Sequence, residues 1–494
     1  FMTRAYQTLE SRAKRINDIH GALAILSWDA QTMMPKGGSE ARGEQVATLS
    51  AMAHEIATAD DLPDLLDEAE AGASSLDAWQ AANLKKMRLA QRRASAIDPA
   101  LVSSMAKATN RAEMTWREAR ANADFNMLQS DLDEVIDLTR DKAECLASTF
   151  ELEPYDALLD TFELGLRRAT IDPLFERLAE RLPDLLERVL AAQVKPLPIV
   201  GPFPAAQQKA LGKKLMAALG FDFKHGRLDE SQHPFCGGLP DDVRITTRYD
   251  EAEVTSALMG VLHETGHALY EAGLPKGWRS QPVGSSLGMV VHESQSLLIE
   301  MQVCRSRGFL GFLSPHLAET FGPRAAFDAD NLYRDAIWVE RGFIRVDADE
   351  VTYPLHIILR YRLEQALLSG DLALKDMPGA WNDGMKELLG IMPPDDAMGC
   401  LQDIHWPGGA IGYFPCYTLG AIAAGQLFEA ISKTKPSLDE SIARGDFSEL
   451  ISWLRSSIHE KGSKTDMQSL LSDATGQQLT LDPYLAHLER RYVA

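Results

Sequence analysis

The segment Val261-Leu-His-Glu-Thr-Gly-His-Ala-Leu269 contains an H-E-x-x-H pattern within a stretch of helical periodicity. Residues four positions apart lie on one face of an α-helix, so His263 and His267 can bind one metal ion together. Glu264 lies beside them and is placed to accept a proton from an attacking water. The pattern therefore predicts a hydrolytic zinc site on a long helix.

The residues around this pattern are typical of a complete helix. Glu251 and Glu253 precede it, and acidic residues favour the first turn of a helix. Gly273, followed by Pro275, marks its end. The competing interpretation is an ordinary amphipathic helix with two partly buried histidines. The pattern in this setting favours the metal site.

A catalytic zinc ion needs a third protein ligand and one open position. The extended pattern that ends in a third histidine does not occur, because Gly273 stands where that histidine would be. A second helical segment, residues 290–300, offers Glu293 as the third ligand. Spacing alone does not choose between Glu293 and the other candidates, which are His292, Glu300 and Glu271.

Helical periodicity extends over most of the chain and predicts a mainly α-helical protein. The clearest further helices are expected over residues 128–152, 171–194, 205–219, 355–368, 419–431 and 447–459. Because nothing marks several domain boundaries, one large domain is expected over residues 1–494. Within it, an N-terminal helical lobe of about 1–200 and a zinc-site lobe of about 201–494 meet near the proline-rich stretch 195–204.

The main strand candidate is the segment 243–249, where residue types alternate. Alternation places Val243 and Ile245 on one face of the strand, and Arg244 and Thr246 on the other. The second face is expected to line a wall of the cleft, where a strand edge can bind an extended peptide. The alternative is a cross-strand salt bridge of Arg244 on a solvated face.

The composition limits the possible partners. With 50 Lys and Arg against 71 Asp and Glu, the net charge of −21 argues against nucleic acid as the main partner. No stretch approaches the roughly 18–20 apolar residues of a membrane span. The five cysteines form no C-x-x-C pair and are expected to be free thiols. With no signal peptide recognised, these features predict a cytoplasmic protein that binds neither nucleic acid nor membranes.

Several motifs occur in a characteristic order. His-Glu-Thr-Gly-His at 263–267 and His-Glu-Ser-Gln at 292–295 are two of them. The others are Asp242-Val-Arg-Ile-Thr246, Ile344-Arg-Val-Asp-Ala-Asp349, Gly399-Cys-Leu-Gln-Asp-Ile-His-Trp406 and, near the N-terminus, Trp28-Asp-Ala-Gln-Thr-Met-Met-Pro35. Together they resemble the motifs of the carboxypeptidase Taq family of zinc metallocarboxypeptidases, and the resemblance covers nearly the whole chain.

The resemblance implies a zinc-dependent enzyme that releases single residues from the C-terminus of peptides with broad specificity. It also implies a mainly α fold of the gluzincin type, with a small β element, two lobes around a deep cleft, and a homodimer. In this family the glutamate that corresponds to Glu293 is the third zinc ligand. One zinc ion per chain is expected, which cobalt or another divalent metal can replace, and Glu264 is the expected general base.

A carboxypeptidase has to hold the free carboxylate of its substrate, and a guanidinium does so with two hydrogen bonds. Arg345 and Arg244 are the candidates because both lie in matched motifs. The alternative for Arg345 is a structural ion pair with Asp349 or Asp347. The predicted substrate-binding residues are Arg345, Arg244, Thr246 and Gln402.

His405 and Tyr413 complete the predicted site. His405 is expected to hydrogen-bond the substrate or the oxyanion, and Tyr413 resembles a family tyrosine suited to stabilising the tetrahedral intermediate. The alternatives are a core histidine bonded to a carbonyl and a packed aromatic ring. Gln402 and Asp403 are also expected to orient His405 or a metal ligand.

Two other functions stay open. An oligopeptidase that cuts inside short peptides would use a comparable helical cleft. A non-catalytic zinc or helical scaffold protein would use the H-E-x-x-H pattern only for structure. A structural site closes all four zinc positions with protein ligands, however, and needs no base such as Glu264.

Overall fold

The computed structural model describes residues 4–493, and α-helices account for most of this part of the chain. They are α1 Arg4–Thr32, α2 Ser39–Ala57, α3 Leu62–Ala71, α4 Ala78–Ala96, α5 Pro99–Asn122, α6 Asn126–Phe150, α7 Pro154–Phe162, α8 Arg168–Ala192, α9 Ala205–Ala218, α10 Thr255–Gly273, α11 Met289–Leu297, α12 Arg307–Phe321, α13 Ala329–Ala336, α14 Tyr353–Ser369, α15 Met377–Leu389, α16 Pro415–Thr434, α17 Leu438–Ala443, α18 Ser448–Ser457, α19 Met467–Thr475 and α20 Asp482–Tyr492. The mainly α prediction is confirmed, and each helix expected from periodicity is present with ends shifted by a few residues.

Helix α6 shows why periodicity predicts these helices well. Leu128, Leu132, Val135 and Thr139 recur every three or four residues, and all four are buried. One face of the helix therefore packs inward while the polar positions stay in solvent. The helix ends at Glu151, which caps it in the left-handed conformation with φ of 55°.

One small sheet contains three strands, β1 Gly226–Glu230, β2 Phe235–Leu239 and β3 Asp242–Thr247. Strand β3 lies in the middle, parallel to β1 and antiparallel to β2. The strand prediction is confirmed, since β3 buries Val243 and Ile245 as alternation requires.

The chain divides into two compact units, each built from three segments. The first contains the residues through Ala94, Pro196–Ala336 and Ala423–Leu479. The second contains Ser95–Lys195, Ile337–Ile422 and the residues from Thr480 onward. The chain passes between the units five times, at Ala94–Ser95, Lys195–Pro196, Ala336–Ile337, Ile422–Ala423 and Leu479–Thr480. That the whole chain forms one domain with two consecutive lobes stays a prediction.

The core of the first unit fixes the position of α10. Val261 and Ala268, on one side of this helix, belong to a buried apolar cluster with Val243 and Ile245 of the central strand and Leu228 of β1. Burial of these side chains ties α10 to the sheet, at about 1.5–3 kcal/mol for each large one. The helix that carries the H-E-x-x-H pattern is therefore rigidly supported.

Two further predictions, on membrane spans and on the cysteines, can be compared with the structure. In the described part of the chain, no helix combines the length and the apolar character needed to span a membrane. All five cysteines are free thiols, and three of them are buried.

Candidate metal centre

The H-E-x-x-H pattern lies in the middle of α10, as its sequence setting predicts. Helix α11, which carries His-Glu-Ser-Gln, packs closely against it. Gly266 permits this approach, because a Cβ there would lie 2.5 Å from the carbonyl oxygen of Gln295 and 2.6 Å from Cα of Ser296. The glycine inside H-E-T-G-H thus brings the helix with Glu293 up to the two histidines.

We expect Gly266→Ala to destabilise the protein and weaken metal binding, although alanine favours a helix by about 1 kcal/mol over glycine. The new methyl group meets backbone atoms, which cannot rotate away, so overpacking at about 1–3 kcal/mol outweighs the propensity gain. Thermal unfolding and metal titration measure both effects.

The same helix supplies a matched control, Gly260→Ala. A Cβ at Gly260 has nothing within 4 Å, so alanine there should raise stability and leave metal binding unchanged. Equal stabilisation of both alanine variants would show that the backbone of α11 does not approach Gly266 as closely as the structure indicates.

Three side chains converge between α10 and α11. Nε2 of His267 lies 3.4 Å from Oε2 of Glu293, and Nε2 of His263 lies 3.9 Å from the same oxygen. One ligand atom from each of the three residues lies within 4.8 Å of the other two. Zinc binds nitrogen and oxygen ligands at about 2.0–2.2 Å, so one ion between them can reach all three. Two imidazole nitrogens and one carboxylate oxygen are a donor set that fits a divalent metal ion such as zinc.

Glu300, another candidate ligand from the sequence, contacts His263 at its other ring nitrogen. Glu300 accepts a hydrogen bond from Nδ1 of His263 at 3.0 Å, on the far side of that ring from Glu293. Arg305 in turn donates to Glu300 at 2.9 Å. Glu300 lies in the π-helical turn Leu298–Cys304 that continues α11. It is therefore placed to orient His263 from its Nδ1 side, and it does not join the three converging ligand atoms.

His267 is held in a similar way. Its Nδ1 lies 2.6 Å from Nδ1 of His292, and Nε2 of His292 lies 2.7 Å from Oε1 of Glu271. Both His263 and His267 thus keep Nε2 toward Glu293 and use Nδ1 for a hydrogen-bond partner.

Burial and neighbouring charges shift the titration of the central groups. Burial raises the pKa of Glu264 to about 7, and the charge of Glu293 adds to this while His263 opposes it. Burial lowers the pKa of His267 to about 4. At His263 the carboxylates of Glu300 and Glu293 outweigh burial, and the pKa rises to about 10. A carboxylate with a pKa near neutrality can both accept and return a proton.

Arg244 lies in the same unit, in β3, where it forms two hydrogen bonds with Asp242 at 3.0 and 2.7 Å. Its guanidinium also lies 4.2 Å from the ring of Trp28, and Arg227 covers that ring at 4.8 Å. The ion-pair partner of Arg244 is thus on the same strand and not on a neighbouring strand, as a cross-strand salt bridge would require. Thr246 is fully buried, and its hydroxyl accepts hydrogen bonds from Ser231 and from the backbone of Phe235.

The remaining predicted residues belong to the second unit. Arg345 is 5% exposed. It donates from Nε and Nη2 to Oδ1 of Asp403, at 3.0 and 2.7 Å, and from Nη1 to the hydroxyl of Tyr353 at 2.9 Å. Arg360, fully buried, donates from Nε to Oδ2 of Asp403 at 2.7 Å. One carboxylate therefore serves two guanidiniums, and neither Asp347 nor Asp349 is the ion-pair partner of Arg345.

Gln402 supports the same cluster through the backbone. Its side-chain oxygen accepts from the amide of Arg345 at 2.8 Å, and its amide donates to the carbonyls of Phe343, Met398 and Gly399. These bonds fix the loop that carries Arg345. A direct contact of Gln402 with substrate stays a prediction.

His405 lies among aromatic rings in this unit. Its Nε2 is 3.1 Å from the hydroxyl of Tyr417, and its ring lies 5.6 Å from that of Tyr413. Burial, followed by the charges of Arg345 and Arg360, lowers the pKa of His405 to about 4, although Asp403 opposes this shift. His405 is therefore neutral near pH 7. The catalytic roles predicted for His405 and Tyr413 stay predictions.

Sequence reasoning missed Arg360, Trp28 and Arg305 as parts of these clusters. A charged residue inside the apolar repeat of the predicted helix 355–368 was a signal for Arg360. Trp28 stands in a quoted motif, but its contact with Arg244 joins distant parts of the chain. No local signal pointed to Arg305.

Comparison with known proteins gives full-length matches. The family model described as carboxypeptidase Taq (M32) metallopeptidase matches residues 8–492. Thermostable carboxypeptidase 1 of Thermus thermophilus is 38% identical over 99% of this chain and 98% of the relative. Carboxypeptidase 1 of Bacillus subtilis is 36% identical over 97% of this chain and 96% of the relative.

Solved structures match equally well. Trypanosoma cruzi metallocarboxypeptidase 1 gives a TM-score of 0.98 at 39% identity, covering 99% of this chain and 100% of that chain. Pyrococcus furiosus carboxypeptidase gives a TM-score of 0.96 at 33% identity, covering 100% of this chain and 99% of that chain.

Proposed function

Because the chain belongs to the carboxypeptidase Taq (M32) family and is a metallocarboxypeptidase, we propose that it uses zinc held by His263, His267 and Glu293 to remove single C-terminal residues. The convergence of these three ligand atoms within 4.8 Å is the observation that carries the proposal. A histidine pair plus one carboxylate is a donor set that catalytic zinc sites use.

The residues around the ligands suit peptide hydrolysis. A bound divalent cation supplies polarisation of the scissile carbonyl and makes water more acidic. Glu264 accepts the proton of the attacking water at its carboxylate and returns it to the leaving amine. Glu264 directly follows His263 on α10, so its carboxylate lies beside the proposed ligand pair, where both transfers take place.

Arg345 is our candidate for holding the substrate carboxylate. Its three side-chain hydrogen bonds use three of the five N–H donors of a guanidinium, which leaves donors on Nη1 and Nη2. Two arginines share Asp403, so this cluster carries more positive than negative charge. A substrate carboxylate compensates the surplus, and Gln402 fixes the backbone of Arg345 for that contact.

Arg244 is the weaker candidate. Each of the two arginines over Trp28 has a carboxylate of its own, Asp242 for Arg244 and Asp229 for Arg227. These pairs are electrically neutral, so they attract an anion less than the Arg345 cluster does. We propose that Arg244 clamps Trp28 of α1 onto the sheet.

Further features of the enzyme follow as proposals. We propose broad specificity and a homodimeric state, which the motif resemblance implies. We also propose a cytoplasmic location, which the five free cysteines support. The net charge of −21 supports the absence of nucleic acid binding.

A mass-spectrometric time course on one peptide tests the proposed activity. With a free C-terminus, the peptide should shorten by single residues, and with an amidated C-terminus most of the rate should be lost. Removing metal with a chelator should stop the reaction, and adding Zn²⁺ should restore it. Internal cuts at an undiminished rate in the amidated peptide would instead identify an oligopeptidase.

A further inference from the structure

Two residues outside the ligand set form a chain of hydrogen bonds that ends on His267. Its first contact joins Nδ1 of His267 to Nδ1 of His292 at 2.6 Å, and its second joins Nε2 of His292 to Oε1 of Glu271 at 2.7 Å. All three side chains are largely shielded from water, with side-chain exposures of 13%, 18% and 26% in that order.

Only one arrangement of protons fits this chain when His267 binds a metal. Its Nε2 faces Glu293 and needs a free lone pair, so its proton lies on Nδ1 and is donated to His292. Nδ1 of His292 must then accept, which places the proton of His292 on Nε2, where it is donated to Glu271. A doubly protonated His292 would turn an N–H toward the N–H of His267.

We propose that His292 and Glu271 are positioning residues that fix the tautomer and ring orientation of His267, so that Nε2 is presented to the metal. Glu271 acts through His292 and not as a ligand. The inference rests on the proposed metal site and deepens it, since it assigns a role to two residues that the proposed mechanism leaves unused.

The backbone supports this arrangement from both sides. Glu271 lies on α10 one turn after His267, and His292 directly precedes the ligand Glu293 on α11. The ring of Tyr270 packs 5.3 Å from that of His292 and restricts its rotation. Because Gly266 lets the two helices approach, the same contact that delivers Glu293 also delivers His292.

The two ligand histidines are therefore oriented by different devices. His263 donates directly to Glu300, whose charge is held by Arg305, whereas His267 reaches a carboxylate only through a second imidazole. The contact through a second imidazole gives a test that the direct contact does not allow. Changing His292 can preserve its hydrogen bond with His267 and break its hydrogen bond with Glu271.

The test is Zn²⁺ affinity of the full-length protein, measured by competition with a chelator. We expect His292→Ala to weaken Zn²⁺ binding about 10- to 100-fold, because mutation of a residue that hydrogen-bonds a ligand histidine usually has an effect of this size. His292→Asn should recover part of the loss, since its side-chain oxygen can accept from His267 near the place of Nδ1. Glu271→Gln should give an intermediate loss, because the amide oxygen still accepts but carries no charge.

Surface variants serve as controls. His225→Ala and Glu319→Gln, in the same unit but with side-chain exposures of 59% and 69%, should bind Zn²⁺ as the wild type does. Thermal unfolding of the metal-free variants separates positioning from general stability. A merely structural role would lower the unfolding temperature and leave Zn²⁺ affinity unchanged.

Each outcome decides the matter. Wild-type Zn²⁺ affinity in His292→Ala or in Glu271→Gln overturns the proposed positioning role. If His292→Ala does not fold, Glu271→Gln and His292→Asn provide the test. If instead the wild type binds no Zn²⁺, or His263→Ala binds it equally well, the proposed metal site itself is wrong. The two failures are therefore distinguishable.

Discussion

Replacing Glu264 with glutamine is expected to abolish peptide hydrolysis while zinc stays bound. Glutamine has nearly the shape of glutamate but cannot accept a proton, so kcat should fall by about 10²–10⁴-fold, the usual contribution of a general base. Zn²⁺ affinity should hardly change, because the proposed ligands are His263, His267 and Glu293. Steady-state kinetics and chelator competition on the same preparation measure both quantities.

Glu319→Gln, an exposed carboxylate of the same unit, is the matched control and should behave as the wild type. Two results would count against the role of Glu264. Turnover within a few-fold of the wild type would show that no proton passes through it. Loss of Zn²⁺ together with turnover would make it a ligand instead of a base.

Arg345→Ala is expected to remove the preference for a free C-terminus. The variant should raise KM and lower kcat for free-acid peptides, so that kcat/KM falls by about 10²–10³-fold, in the range for losing one partner of a desolvated charge pair. Hydrolysis of the amidated peptide is expected to be slow in the wild type and should change little in the variant. The ratio of the two rates should therefore approach one.

The fold should tolerate this change, since Asp403 keeps its hydrogen bond to Arg360. Arg345→Lys is the informative partner variant: it keeps the charge but loses the paired donors, and should recover only part of the preference. Arg362→Ala, an exposed arginine of the same unit paired with Glu387, is the control. If Arg345→Ala kept the rate ratio and Arg244→Ala lost it, Arg244 would be the residue that holds the carboxylate.

The sequence predicts best what is determined locally. Helices follow from apolar residues that recur within one or two turns, and β3 follows from alternation over six residues. The pairing of His263 with His267 is equally local, because four residues of one helix fix it.

Contacts between distant segments were not predictable in this way. Asp403 joins Arg345 and Arg360, which are 58 and 43 residues away along the chain, so no spacing rule identifies it. The near partners of Arg345 that the sequence suggested, Asp347 and Asp349, are not its ion-pair partners. Asp349 instead accepts from Thr352 at 2.9 Å.

The choice among candidate metal ligands was ambiguous for a geometric reason. Glu293 and Glu300 are seven residues apart, so in a regular α-helix they would share a face. Glu300 lies in the π-helical turn Leu298–Cys304 and contacts Nδ1 of His263, whereas Glu293 faces Nε2. A single sequence does not reveal a π-helical turn, so only the folded chain separates the two roles.

The metal site is tested most directly by anomalous diffraction at the zinc absorption edge from crystals of the Zn²⁺-loaded protein. The expected result is one ion bound by Nε2 of His263, Nε2 of His267 and the carboxylate of Glu293, at about 2.0–2.2 Å from each. Glu300, Glu271 and His292 should stay outside the ligand set. An ion elsewhere, or one bound by any of those three residues in place of Glu293, would contradict the proposed site.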